Sequence, residues 1–131
     1  MIRKLLLAPL FTLGLVLATA APTSAAPTGD VIGSWTSVDP ADGSQQSLLV
    51  TSFDTGFKLV YYDNDDTVEC DSVALLATGA GIQASSTVSG SIRGMCFDGT
   101  RAGPFPVEFT YQAGPPETLT DGSGTVWTRS G

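Results

Sequence analysis

The stretch VALLATGAGIQASSTVSGSIRGMC, residues 73–96, decides how this chain folds. In its second half Val88, Gly90, Ile92, Gly94 and Cys96 fall on one side of an extended backbone, and Ser89, Ser91 and Arg93 on the other. Side chains of a β-strand point alternately to opposite faces, so this is a strand with one covered face and one wet face. Ser85-Ser86 interrupts the run near its middle, so residues 73–84 and 87–96 are predicted to fold back on each other as a hairpin. Gly79 and Gly81 lie inside the first arm, where they relieve crowding or let the strand coil. They are not a phosphate loop, because no helix follows them.

The same punctuation runs outward in both directions. IGSWTSVD (residues 32–39) reads as a first strand stopped by PADGS (40–44), and SLLVTSF (47–53) and FKLVYY (57–62) flank the short connection Asp54-Thr55-Gly56. Glycine at 56 is the expected positive-φ residue of that hairpin. After the loop FDGTRAGP (97–104), VEFTYQ (107–112) turns Val107, Phe109 and Tyr111 inward and Glu108, Thr110 and Gln112 outward. ETLT (117–120), the turn DGSG (121–124) and TVWTRS (125–130) complete the series. Seven or eight antiparallel strands joined in order by short turns predict an all-β, up-and-down barrel, because closure removes exposed strand edges. A two-sheet sandwich is the alternative, but only residues 97–105 could serve as its longer crossing connection.

The first and last strands carry Gly33-Ser34-Trp35 and Arg129. This pattern resembles the calycin superfamily of lipocalins, avidins and small bacterial metalloprotease inhibitors. In those barrels a Gly-x-Trp near the start of the domain is covered by a basic side chain from the final strand. The resemblance rests on Gly33, Trp35 and Arg129 alone and implies that these three close one end of the barrel. A guanidinium over an indole is a cation–π contact, and an indole is large enough to plug a barrel base.

Residues 1–25 differ from the rest. Arg3 and Lys4 precede the apolar run 5–20, and small residues follow in APTSAA (21–26). That layout is expected of a secretory signal peptide, cleaved after Ala25 or else Ala20, with the domain proper in residues 26–131. The apolar run is short and holds Pro9 and Gly14, which argues against a membrane anchor. Beyond it stand four basic against thirteen acidic residues, a net charge of −9. Such a surface repels nucleic acid and anionic lipid, so neither is an expected partner. In an oxidising exterior Cys70 and Cys96 are expected to form a disulfide.

The chain of 131 residues contains no histidine. That removes the commonest general base and metal ligand and every Ser-His or Cys-His nucleophile. Carboxylates remain, five of them in YYDNDDTVECD (61–71). Asp63, Asp65 and Thr67 alternate as calcium ligands would, but Val68 and Ala74 stand where an EF-hand loop needs glycine and a bidentate glutamate. The stretch reads instead as an exposed acidic turn, in which Asp63, Asp65 and Asp66 could become asparagine without loss of stability. No metal, cofactor or catalytic residue is assigned. The aromatics Tyr61, Phe109 and Tyr111 pack a core or line a cavity at the barrel mouth. Phe105, between Pro104 and Pro106 in the loop, is a candidate contact for a partner or a lid. The expected function is a secreted, non-enzymatic module binding an unknown protein or a small apolar ligand. A protease-inhibitor-like barrel, acting through residues 26–33, is one version of it. A carboxylate-dependent glycoside hydrolase is the rival from another class, and it requires a groove flanked by two carboxyl groups.

Overall fold

The computed structural model describes residues 29–131; the export signal read from residues 1–25 lies outside them. A 3-10 turn, Gly29–Val31, leads into eight strands: β1 (Gly33–Val38), β2 (Gln45–Phe53), β3 (Gly56–Asp66), β4 (Val73–Ala84), β5 (Thr87–Cys96), β6 (Arg101–Gln112), β7 (Thr118–Asp121) and β8 (Val126–Arg129). Each strand pairs antiparallel with the next, and β8 returns to β1. The result is a closed up-and-down barrel, and the sandwich alternative falls away.

Alternation sets the core. Leu48 and Val50 of β2, Phe57 and Leu59 of β3, and Leu75 and Ala77 of β4 are buried two residues apart along their strands, and Val88 and Ile92 of β5 four apart with Gly90 between them on the same face. Glycines allow β4 and β5 to approach closely: a Cβ on Gly90 would sit 2.1 Å from the carbonyl oxygen of Ala80. The two-residue tip Ser85-Ser86 joins Ala84 to its partner Thr87, as the hairpin reading requires. In the hairpin between β2 and β3 the positive φ belongs to Asp54 rather than Gly56. Gly56 opens β3, where a Cβ would meet the Gly81 carbonyl oxygen at 2.4 Å. Close strand approach, not turn geometry, is what requires glycine there.

The acidic stretch departs from its reading as a turn. β3 continues to Asp66, and Asp63 keeps the inward parity of Phe57, Leu59 and Tyr61, so it is only 1% exposed. Asp66 is buried too and accepts hydrogen bonds from the amides of Val68 and Glu69, which start the real turn. Beyond that turn Cys70 is bonded to Cys96, with Cα atoms 5.4 Å apart. The bridge ties the β3–β4 connection to the end of β5 and is worth about 3 kcal/mol by chain-entropy reasoning.

Strand lengths are unequal where the barrel meets its seventh strand. β6 has twelve residues, but only Phe109–Gln112 pair with β7. Among the described residues, its first eight have a neighbour only on the β5 side, which leaves a seam in the wall. The Tyr111 amide donates to the Ser86 carbonyl on the β5 side. Backbone groups of an antiparallel strand alternate in direction, so the even-numbered residues of β6 from Pro106 onward turn theirs to the seam, up to the bulge that shifts the register between Ile92 and Gly94. Pro106 holds one such position, and proline has no N–H; Pro104 lies in the bulge. At Pro106 the edge of the seam therefore presents a carbonyl oxygen and no donor.

Candidate ligand cleft at the barrel seam

The two ends of the barrel are built differently. At the β1 start, Trp35 is fully buried, and the guanidinium carbon of Arg129 lies 4.3 Å from its ring centroid. Trp35 and Arg129 are direct register partners on β1 and β8. Arg129 Nε donates to Glu117 at 2.6 Å, and its other nitrogens donate to the carbonyls of Ile32 and Asp30. Trp35 Nε1 donates to the Val31 carbonyl at 3.0 Å, and Tyr111 packs edge-on against the indole at 6.3 Å. Gly33 is glycine for two reasons: its φ is +141°, and a Cβ would lie 2.5 Å from the Arg129 guanidinium. This end is sealed.

Along the seam lies a cleft of about 660 Å³. β6 supplies Phe105, Val107 and Phe109, β3 supplies Tyr61, β8 supplies Trp127, and β5 supplies Ile92. Trp127, 1% exposed, lies deepest, with Phe109 edge-on at 5.8 Å and Tyr61 tilted at 6.1 Å. Tyr61 and Phe105 are half-buried and present ring surface to the opening. Polar groups come from Gln46, Ser89, Glu108, Asp121 and Ser123 and from the Tyr61 hydroxyl. Asp121 Oδ2 accepts from Trp127 Nε1 at 3.1 Å, and its Oδ1 accepts from the amides of Ser123 and Thr125, both at 3.0 Å. That explains why DGSG turns where it does: the aspartate caps its own loop. Gln46 Nε2 donates to the Tyr61 hydroxyl at 2.9 Å and reaches Asp63 Oδ2 at 3.3 Å, with Ser37 Oγ donating to Gln46 Oε1 behind it. Burial, and then the charges of Asp63 and Asp66, push the Tyr61 phenol well above its ordinary range. It stays a neutral hydroxyl.

Tyr61, Phe109 and Tyr111 were expected to pack the core or line a cavity and Phe105 to contact a partner or act as a lid, and the structure divides the four. Tyr61, Phe105 and Phe109 line the cleft. Tyr111 belongs to the sealed end, against Trp35. Phe105 lies in strand β6 opposite Ile92, not in a projecting loop, so its flanking prolines mark an unpaired strand edge. Gln46, Asp121 and Trp127 were not singled out from the sequence. Trp127 and Gln46 had the signal of inward parity, Gln46 two residues before Leu48, while Asp121 looked like any turn aspartate. Asp65 is exposed, and Thr67 donates to Asp42 across the barrel rim. No group of three or more histidine, cysteine, aspartate or glutamate side chains is placed to hold a metal among the described residues. On the outer wall a separate apolar row, Tyr62, Leu76 and Met95, runs across β3, β4 and β5, with Phe97 against Tyr62 at 6.0 Å.

Comparison with protein-family models, with curated proteins and with solved structures finds no match.

Proposed function

We propose that this protein is an exported, non-enzymatic binding module that takes a small, largely apolar ligand in the seam cleft. The observation that carries the reading is the cleft itself: about 660 Å³, walled by aromatic and aliphatic side chains with polar groups from Gln46, Ser89, Glu108, Asp121 and Ser123. Small-molecule sites have that size and that balance of surfaces. The calycin-like reading points the same way and draws its support from Gly33, Trp35 and Arg129, which meet as that resemblance implies. Export rests on the layout of residues 1–25.

The rival readings have less behind them. A hydrolase needs carboxyl groups able to reach a substrate. Asp63 and Asp66 are buried and engaged by neighbouring amides and side chains, and Asp121 serves its own turn. An inhibitor working through residues 26–33 needs that segment to project, whereas the carbonyls of Asp30 and Ile32 are clasped by Arg129.

The test is a titration with N-phenyl-1-naphthylamine, an uncharged probe that brightens in apolar sites. Binding is expected, and Val107→Trp, which fills the cleft from β6, should remove it while leaving the melting temperature within a few degrees. Ile82→Trp, on the exposed side of β4, should bind the probe as the parent does. Equal binding by the parent and Val107→Trp, or none by the parent, would remove this reading.

A further inference from the structure

We propose that the ligand of this cleft is an organic cation, an ammonium or guanidinium group on an apolar body; the inference rests on the cleft being a small-molecule site. Every charged residue along the cleft is acidic, namely Asp121 and, at its exposed rim, Glu108. The seam edge adds the backbone carbonyl of Pro106, a position with no N–H. Asp121 Oδ2 accepts one hydrogen bond, from Trp127, and a carboxylate oxygen can accept two. Behind Tyr61, buried Asp63 adds a further negative group, and its hydrogen-bond donors are Gln46, Tyr61 and the Asp65 amide. Its nearest company includes no basic side chain: the one ion pair among the described residues is Arg129–Glu117, at the far end. The site is therefore rich in acceptors, negative in field and lined with π-faces. Each of these favours a cation with hydrogens to donate, and none favours an anion.

The protein contains its own precedent. At the sealed end an indole, a tyrosine and a carboxylate (Trp35, Tyr111, Glu117) surround a cation that the chain supplies, Arg129. At the seam the corresponding set is Trp127, Tyr61 and Asp121, with ring separations of 6.1 Å there against 6.3 Å at the sealed end. No basic side chain lines the seam cleft. The missing member of the second set is the cation. A ligand ammonium would sit against the half-exposed rings of Tyr61 and Phe105, directed toward Asp121, with its apolar body along Val107 and Ile92.

The experiment compares three ligands of matched shape by calorimetry at low salt: 1-naphthylmethylamine as the cation, 1-naphthalenemethanol as the neutral form and 1-naphthoate as the anion. The amine is expected to bind about tenfold tighter than the alcohol, and the naphthoate weakest. Glu108→Gln, on an exposed residue, should shrink the advantage of the amine while leaving the alcohol unchanged, and so should half-molar salt. Asp121→Asn keeps an acceptor for the turn and should shrink it further. If alcohol and amine bind equally, or naphthoate binds best, the cation inference is overturned while the small-molecule reading stands. If neither these ligands nor the uncharged probe of the preceding test binds, that reading falls and takes the inference with it.

Discussion

Trp35 and Trp127 are both buried in the same barrel, each with its indole N–H satisfied, yet their surroundings do opposite things. Trp35 is covered by a guanidinium that is itself held by Glu117 and two backbone carbonyls, so the charge is consumed inside the fold. Trp127 is held by a carboxylate and by other rings, and the space beside it is open. The difference teaches that one residue type can serve as a seal or as the floor of a site, and the partner that caps it decides which.

That contrast can be broken from the sealed end first. Trp35→Ala removes a whole indole from the barrel base and is expected to cost about 3–5 kcal/mol in denaturant unfolding. A loss below about 1 kcal/mol would mean that the base collapses around the gap and that the indole is not a plug. Arg129→Ala should follow at about 1–2 kcal/mol, since a cation–π contact and its carboxylate partner are lost together. Arg101→Ala, an exposed arginine at the start of β6, is the control and should leave the unfolding midpoint unchanged. Equal behaviour of the two arginines would remove the distinction between an arginine that seals and one that merely decorates the surface.

The smallest expected effect is at the seam. The Tyr61 phenol is raised by its burial first and then by Asp63 and Asp66. Below about pH 10 the phenol is neutral in folded and unfolded chains alike, so its stabilisation is fully present. Above about pH 10 the unfolded chain ionises this group and the folded one does not, so stability falls as pH rises. Tyr61→Phe should flatten that alkaline decline by a modest amount, read as the melting temperature at stepped pH. An unchanged slope would mean that Tyr61 ionises in the folded protein and is more open to water than its surroundings imply.

Much of the barrel was legible because alternation is a local signal. Val88 to Cys96 declare their inward face in the sequence itself, and Gly33, Trp35 and Arg129 come together as the calycin-like resemblance implied. Asp63 was misread although its parity was in plain view. Four acidic or amide residues in a row favour a turn locally, and the inward hydrogen bonds that outweigh this preference come from Gln46, seventeen residues earlier. Replacing Asp63 is therefore no longer expected to be silent, unlike replacing exposed Asp65. The cleft was the least legible part. It exists because β6 outruns β7 by eight residues, and register between strands is not written in either strand alone.

The prolines of β6 also determine what can grow from this molecule. A foreign strand zips onto an open edge by matching donors to acceptors rung by rung. At Pro106 the rung has an acceptor and no donor, and the bulge at Gly103-Pro104 breaks the ladder beyond it, so an incoming strand cannot be matched rung by rung. The gap in the wall is thus a poor template for polymerisation, and the barrel can keep its side open at high concentration without nucleating fibres.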